Sequence, residues 1–325
     1  VGSGAGSSPF DEFMPWSGMK ECNLDTSGKV TAWKGDSGFS RGFQRVMVHI
    51  PEFYVKYKES GTKKYFYISD CARNDFVKHP GSGKFVGRYV AAPSSDGVVH
   101  YVFSQTNGSA GVNITRANAR TLAKENGVKY HLYDFATYCA IIWLYIVEFA
   151  DWNSQSKIGS GHVSSSAASI SGRTDSMTYH TGRTNIDGAE NQCNVQYRWI
   201  ENLWGNVYQW VDGFNANGAE VYYCTDPSKY ADDTTTGYTK IGTLPASGWI
   251  KDLTVTDNGL LIPKTTGGSD STYIPDYAGS SSGWRVLCVG GSWGSGSGAG
   301  LLCFYAGCAS SGSGSDISAR LLCEA

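Results

Sequence analysis

The sequence predicts an α+β fold in which short strands, two helices and long irregular loops share a core. Apolar and polar residues alternate in "RVMVHIPEFYVKYK" (residues 45–58), as they do in strands. Two helical patterns follow between residues 114 and 151. The chain also has 41 Gly, 10 Trp and 20 Tyr, but only 9 Pro. Such a composition indicates a loop-rich fold whose irregular backbone is fixed by large rings.

Length and charge exclude several classes of protein. The 325 residues, 41% of them hydrophobic, suffice for a sizeable core in one large domain or two smaller ones. A net charge of −2 without a long basic run argues against nucleic-acid binding. The longest apolar run, Phe135 to Ala150, is too short to cross a bilayer comfortably and contains Glu148. We therefore expect a buried helix there and no membrane insertion.

The nine cysteines are an odd number and are dispersed along the chain. This pattern fits neither a disulfide framework nor a zinc site, so most of them are expected to be reduced, small, buried hydrophobic residues.

The first residues have neither the basic start nor the apolar centre of a secretion signal. We therefore expect the chain to be synthesised and to fold in a bacterial cytoplasm.

The organisation of the chain is predicted in order from its N-terminus. Residues 1–43 are rich in Gly and Ser and are expected to be an irregular segment with a few anchors such as Trp16 and Trp33. Residues 44–325 form the domain, beginning with two short strands that Pro51 separates. The stretch from Ser154 to Asn191 is polar and is expected to be a long connection without regular structure.

Two helices are predicted before that connection. In "ITRANARTLAKENG", Thr115 is the expected N-cap and Gly127 the residue after the C-cap, and the apolar face consists of Ala119, Leu122 and Ala123. The second helix runs from about Asp134, its N-cap, to Asp151. Because it is apolar on nearly all sides, it should lie deep in the core.

Two motifs in the second half of the chain are the most specific. "YRWIENLWGNVYQWVDGF" (197–214) and "GWRVLCVGGSW" (283–293) resemble signatures of the C-type lectin fold, in the branch shared by formylglycine-generating enzymes and the variable proteins of diversity-generating retroelements. The resemblance spans roughly residues 44–325 and implies a small twisted antiparallel sheet, two helices and long irregular loops. Its scaffold positions are Trp204, Gly205, Asn206, Trp210, Gly290, Gly291, Trp293, Phe304 and Arg320.

Residues 290–325 resemble the variable region of such proteins. There, mutation of template adenines converts Asn codons AAY into NNY codons, which never encode Lys, Glu, Gln, Met or Trp, and residues 294–322 contain none of these five. About four charges are expected between 294 and 319, but only Asp316 occurs. The expected variable, ligand-binding positions are Gly294, Ser295, Gly298, Cys303, Tyr305, Gly307, Cys308, Gly312, Gly314 and Asp316.

The fixed positions between them are apolar or small, as a strand framework requires: Trp293, Ala299, Leu301, Phe304, Ala306, Ala309, Ile317 and Ala319. The resemblance therefore implies a non-enzymatic binding protein without a cofactor or metal, located on a phage tail or displayed on a bacterial surface. Its ligand would be a cell-surface protein or glycan, and other tail proteins are potential partners. The alternative to a ligand-binding face in this segment is a plain Gly/Ser surface loop without a binding role.

Two short features of the sequence are compatible with metal-binding chemistry. "CFYAGC" places Cys303 and Cys308 at the C-x4-C spacing that resembles the copper-binding pair of formylglycine-generating enzymes. That family has arginines around the pair, whereas here Tyr305, Ala306, Gly307 and Ala309 surround it, so the copper oxidase is the alternative function. The carboxylates of Asp232 and Asp233 have oxygen atoms suited to calcium, but their spacing is not diagnostic, and two solvated acids in a turn are the favoured explanation.

Overall fold

Strands dominate the architecture of the chain. The computed structural model describes residues 6–92, 102–186 and 189–325. In chain order the strands are β1 (Glu21–Leu24), β2 (Val30–Trp33), β3 (Val46–Ile50), β4 (Tyr54–Ser60), β5 (Lys63–Ser69), β6 (Val77–Lys78), β7 (Lys84–Val90), β8 (Tyr130–Leu132), β9 (Gly182–Ile186), β10 (Ala189–Tyr197), β11 (Ile200–Glu201), β12 (Tyr208–Asn217), β13 (Glu220–Tyr223), β14 (Thr239–Thr243), β15 (Gly248–Val255), β16 (Leu261–Thr266), β17 (Tyr277–Ser280), β18 (Trp284–Val289), β19 (Phe304–Cys308), β20 (Ile317–Ser318) and β21 (Arg320–Glu324). The helices are α1 (Arg116–Lys124), α2 (Phe135–Phe149) and α3 (Ser154–Lys157).

The strands within the described ranges form four sheets. A six-stranded antiparallel sheet has the order β2-β1-β3-β7-β21-β8. A nine-stranded sheet has the order β14-β13-β12-β18-β19-β17-β15-β16, with β20 paired to β12. Two three-stranded sheets have the orders β11-β10-β9 and β5-β4-β6.

The fold is thus mixed and sheet-rich, with few helices. The prediction of a small antiparallel sheet, however, is wrong. The largest sheet has nine strands, and two of its pairs, β17 with β19 and β12 with β20, are parallel. The parallel pairs arise because the last third of the chain returns to the sheet after long loops. Hydrophobic alternation identifies a strand but not its partner, so the sequence did not reveal this arrangement.

The first part of the chain is more regular than expected. Residues 1–5 of the predicted irregular segment lie outside the described residues, but β1 and β2 form a hairpin and β1 pairs with β3. The irregular assignment is therefore wrong for Glu21–Trp33. Trp16 is 4% exposed, and its Nε1 donates to the carbonyl oxygen of Leu144 at 3.1 Å. The segment is thereby attached both to the six-stranded sheet and to α2.

The two longer helices agree with the sequence prediction. Thr115 caps α1, accepting a hydrogen bond from the Asn118 amide, and Ala119 and Ala123 are buried. The helix ends earlier than predicted, with Glu125 rather than Asn126 at its C-cap. In the predicted polar connection, the short helix α3 and strands β9 and β10 were not expected, and residues 187–188 lie outside the described residues.

Helix α2 lies at the centre of the larger hydrophobic cluster, and all of its residues except Val147 are buried. Its N-cap, Asp134, accepts from the Thr137 amide at 2.7 Å and from Lys84 Nζ at 2.9 Å. Burial by itself would raise the pKa of Asp134, but the Lys84 ammonium lowers it to about 2. The N-terminus of α2 is therefore stabilised by a buried ion pair.

No helix in the described ranges has the length and apolarity needed to span a bilayer.

Arg320 joins three of the four sheets. Its fully buried guanidinium donates to Gln209 Oε1 on β12 at 2.6 Å and to the carbonyl oxygens of Gly87 and Arg88 on β7 at 2.7 and 3.0 Å. It also donates to the carbonyl oxygens of Glu201 and Asn202, at the end of β11, at 2.7 and 3.1 Å. The last strand of the chain thus fixes the relative position of all three sheets.

We predict that Arg320→Met lowers the free energy of unfolding by about 3–5 kcal/mol, because five buried oxygen atoms each lose a hydrogen bond from the guanidinium. Urea denaturation monitored by tryptophan fluorescence measures this change. The matched control is Arg73→Met, since Arg73 is exposed and an exposed substitution should change stability by less than about 0.5 kcal/mol. Equal losses in the two variants would contradict the role assigned to Arg320.

Candidate ligand-binding face

The two sequence motifs form adjoining loops that hold each other. The amide of Gly205 donates to the carbonyl oxygen of Gly290 at 3.0 Å, and the amide of Trp293 donates to that of Asn206 at 2.8 Å. Gly290 has a φ of +89°, and a Cβ there would lie 2.6 Å from the Leu203 carbonyl oxygen. Only glycine therefore fits this close approach of the two loops.

The expected scaffold side chains fill the space behind these loops. Asn206 is fully buried, and its amide side chain accepts from the Ser169 amide at 2.7 Å and donates to the Ser169 carbonyl oxygen at 3.2 Å. The indole nitrogens of Trp204 and Trp210 donate to the carbonyl oxygens of Gly159 and Ile114 at 2.9 and 2.8 Å. These side chains support the loops from inside and do not face solvent.

Residues 294–316 cross the middle of the nine-stranded sheet. They run from the double-glycine turn through a loop into β19, which lies between β18 and β17, and then through a second loop to β20. Successive side chains of a strand point to opposite sides. Accordingly, Phe304 and Ala306 are buried, whereas Tyr305 and Gly307 are accessible.

Eight of the ten expected variable residues are accessible, and we call them the variable face. They are Gly294, Ser295, Tyr305, Gly307, Cys308, Gly312, Gly314 and Asp316. The fixed positions Ala299, Leu301, Phe304, Ala306 and Ala319 are buried, and Trp293 and Ile317 are partly exposed.

Three residues do not follow the expected division. Gly298 is buried, and Cys303 is only 1% exposed, so neither contributes a surface side chain. Both belong to the loop that folds back under the double-glycine turn, where the Cys303 carbonyl oxygen accepts from the Gly290 amide at 3.1 Å. Ala309, expected to be part of the framework, is exposed because it begins the loop after β19.

Tyr208 is the residue around which much of the variable face is assembled. Its ring lies 5.8 Å from that of Tyr305, and its hydroxyl accepts from Ser295 Oγ at 3.5 Å. Its amide donates to the carbonyl oxygen of Asp316 at 2.8 Å. The sequence prediction missed Tyr208, which is the first residue of β12 in "GNVYQWV" and is partly exposed although Trp210, two residues later, is buried.

Aromatic residues from outside the segment border the same surface. Trp249 and Tyr277 form an edge-to-face pair with a centroid separation of 5.8 Å, and both are partly exposed. A Cβ at Gly298 would lie 3.3 Å from Tyr277 and 3.7 Å from Trp249. The variable face is therefore bordered by fixed rings, and Asp316 is its one charged residue.

The two cysteines expected for a copper site differ in their surroundings. Cys303 lies in the buried loop before β19, whereas Cys308 is the last residue of β19, and its Sγ lies 3.6 Å from that of Cys288. Burial raises the pKa of the Cys303 thiol. In the described part of the chain, no group of three or more His, Cys, Asp or Glu side chains is arranged to hold a metal ion. The geometry thus does not support the copper-oxidase alternative.

Asp232 is engaged in ion pairs rather than solvated. Its Oδ1 accepts from Nη2 of Arg116 at 2.5 Å and of Arg120 at 2.6 Å. Burial raises the pKa of Asp232, but the two guanidiniums have the larger combined effect and lower it below its ordinary value. Asp233 instead accepts from Ser310 Oγ at 2.5 Å. The two carboxylates therefore have separate partners, and Asp233 is exposed.

Two cavities lie away from the variable face. One, of about 420 Å³, lies between β5 and the end of α2 and is lined by Tyr65, Tyr67, Trp152 and Tyr273, among others. The other, of about 320 Å³, is lined by Trp16, Lys34, His180 and Trp199, among others. None of the ten expected variable residues lines either cavity.

Comparisons with known proteins assign no family to the chain. No protein-family model matches it, and no curated protein matches it. Among solved structures, the chain is similar to the "Major Tropism Determinant U1 Variant", with 11% sequence identity, 94% of this chain and 72% of that chain covered, and a TM-score of 0.33. A TM-score of this size is too low to assign a shared fold or function.

Tyr305 lies against Gly279 of β17, where a Cβ would be 2.2 Å from the phenol ring. We predict that Gly279→Ala lowers the free energy of unfolding by about 1–3 kcal/mol, because the ring has to move. In a Tyr305→Ala background the same substitution should cost less than about 0.5 kcal/mol, and chemical denaturation of all four proteins gives the coupling.

Gly294→Ala is the control for this cycle, because a Cβ at Gly294 meets no atom within 4 Å. It should leave the unfolding free energy unchanged within about 0.5 kcal/mol. If Gly279→Ala lowers the free energy of unfolding equally with and without the Tyr305 ring, the described contact between Gly279 and Tyr305 is wrong.

Proposed function

We propose that this chain is a receptor-binding variable protein with a C-type lectin fold, diversified by a retroelement, and that the variable face binds its ligand. The observation that carries the proposal is the alternation along residues 294–316. Positions expected to vary are mostly accessible, while the apolar residues between them are mostly buried. A segment with this division accepts many side chains without losing its backbone shape.

Energetics support this division of roles. Substitutions at exposed positions usually change stability by less than about 0.5 kcal/mol. The buried neighbours, such as Phe304 with its edge-to-face contacts to Phe135 and Phe214, cost several times more to replace. A sequence can therefore vary at Tyr305 while Phe304 stays constant. The two scaffold loops are held to each other by backbone hydrogen bonds, from Gly205 to Gly290 and from Trp293 to Asn206, which do not involve the variable side chains.

The chemistry of the variable face favours an uncharged ligand surface. It offers one carboxylate, Asp316, and one large variable side chain, Tyr305, beside the fixed ring of Tyr208. Because aromatic residues dominate binding hot spots and Gly and Ser add little desolvated area, this copy should bind weakly, with a Kd of about 1 μM or higher. Tight binding that depends on many variable side chains would contradict this expectation.

The ligand class that fits is a cell-surface protein or a glycan, since neither requires a clustered charge of one sign. We propose that the protein acts on a phage tail, with other tail proteins as partners, and that display on a bacterial cell surface is the alternative location. No catalytic role or cofactor is part of the proposal. Synthesis in the bacterial cytoplasm precedes assembly in either case.

The first experiment measures binding of the labelled full chain to a panel of bacterial strains and to a glycan array. Gly294→Trp should weaken binding at least about tenfold, since it adds a large side chain to the face at an open position. Tyr305→Ala should weaken binding as well, because it removes the one large variable side chain.

Gly38→Trp is the matched control, since Gly38 is exposed, has room for a side chain and lies outside the variable face. It should bind as the unmodified chain does. Tyr67→Ala tests the larger cavity in the same assay. The proposal fails if Tyr67→Ala abolishes binding while Gly294→Trp and Tyr305→Ala leave it unchanged.

The second experiment concerns diversification. We predict that genomes encoding close relatives contain a reverse transcriptase gene and a near-copy of the 290–325 coding segment. Adenines should occupy the Asn-codon positions that correspond to the ten expected variable residues. Sequencing of the neighbouring DNA tests this directly. If neither element is found, the retroelement is excluded, although ligand binding by the face is still tested separately by the first experiment.

A further inference from the structure

Two cysteines on neighbouring strands lie in contact beneath the variable face. Cys288 is on β18 and Cys308 is at the end of β19, and their Sγ atoms are 3.6 Å apart. The strands are antiparallel, with Cys288 opposite Tyr305 and Cys308 opposite Val286, and a register shift lies between these pairs. The shift brings the two sulfurs together diagonally, although the cysteines are not direct partners.

The geometry is close to that of a disulfide. A disulfide bond is about 2.05 Å long, so the sulfurs have to approach by only about 1.5 Å, and their side chains already point toward each other. Cys288 is fully buried, whereas Cys308 is partly exposed and can be reached from solvent. One thiol is thus available to a reagent and the other is available only to its neighbour.

We propose that Cys288 and Cys308 are a redox-active pair that forms a reversible disulfide, locking β19 to β18. The oxidant is a small-molecule disulfide of the glutathione type. This inference rests on the contact between the two sulfurs and does not depend on the function proposed above.

The reaction takes place by two exchanges. The Cys308 thiolate attacks one sulfur of the small disulfide, forms a mixed disulfide and releases one small thiol. Cys288 then loses its proton, attacks Cys308 Sγ and releases the second small thiol. In balance, two protein thiols are oxidised to one disulfide, and one small disulfide is reduced to two thiols.

The pKa shifts of the two thiols agree with Cys308 reacting before Cys288. Hydrogen bonding from Cys288 lowers the pKa of the Cys308 thiol below its ordinary value, and the Arg285 guanidinium acts in the same direction. Burial raises the pKa of Cys288 well above the ordinary value. Attack by the accessible Cys308 is therefore favoured as the first step.

The other cysteines do not offer this combination. Cys71 is the one fully exposed cysteine, and its Sγ lies 3.7 Å from Ser69 Oγ. Cys303 is buried, with a raised pKa. All nine cysteines fall inside the described ranges, so they are all included in this comparison.

The disulfide has a consequence for the face. Tyr305 is the direct partner of Cys288 on β18, and on β19 it lies three residues before Cys308. Cross-linking would restrict the strand that carries this ring and reduce the entropy lost when a ligand binds. Cys308 is also one of the expected variable positions, so a variant of the protein with another residue there cannot form this disulfide.

The test uses the full chain carrying Cys71→Ser, which removes the exposed thiol that would react by itself. After incubation with oxidised glutathione, this protein should lose two thiols per chain, and digestion without reductant should give a peptide pair linked through Cys288 and Cys308. With Cys288→Ser added, Cys308 should instead keep a bound glutathione. With Cys308→Ser added, neither product should form.

The disulfide should also shift the urea midpoint of the Cys71→Ser protein upward, and dithiothreitol should remove the shift. The matched comparison is the Cys308→Ser protein, whose midpoint should not respond to oxidant. Unlinked Cys288 and Cys308 peptides, or a glutathione that persists on Cys308 while Cys288 is present, would overturn the proposal.

Discussion

The buried guanidinium of Arg320 is the interaction on which the arrangement of the sheets depends. It reaches β7, β12 and the end of β11 through five hydrogen bonds. Burial lowers its pKa to about 10, so it is still a cation at neutral pH. A buried cation is tolerated only where its donors are satisfied, and backbone carbonyl oxygens from separate parts of the chain satisfy them here. The last strand therefore cannot leave the core without separating the sheets.

This constraint explains how an apparently flexible segment becomes a defined surface. Residues 294–316 are anchored on one side by the Gly205–Gly290 loop contact and on the other by β20 and β21. Between these anchors, Phe304 and Ala306 face the core, whereas Tyr305 and Gly307 are accessible. The contact between Cys288 and Cys308 adds a second, switchable connection within the same region.

Much of the fold was predictable because local patterns specified it. Helix caps at Thr115 and Asp134, and the alternation in β3 and β4, depend on neighbouring residues, and the sequence contains that information. The early strands β1 and β2 were missed because their Gly- and Ser-rich surroundings conceal short strands that gain stability only by pairing with β3. Tyr208 was missed for a similar reason, since its neighbours Ser295 and Tyr305 come from distant residues.

The sequence alone determined the helices, the two glycine-containing motif loops and much of the alternation of buried and accessible residues near the C-terminus, because each depends on the chemistry of nearby residues. Tertiary structure decided which strands pair, which cysteines meet and which expected positions reach the surface. Cys303 and Cys308 look like a pair in the sequence, yet Cys308 contacts Cys288, twenty residues earlier. Pairing across a sheet is set by register and bulges, and local sequence does not specify these.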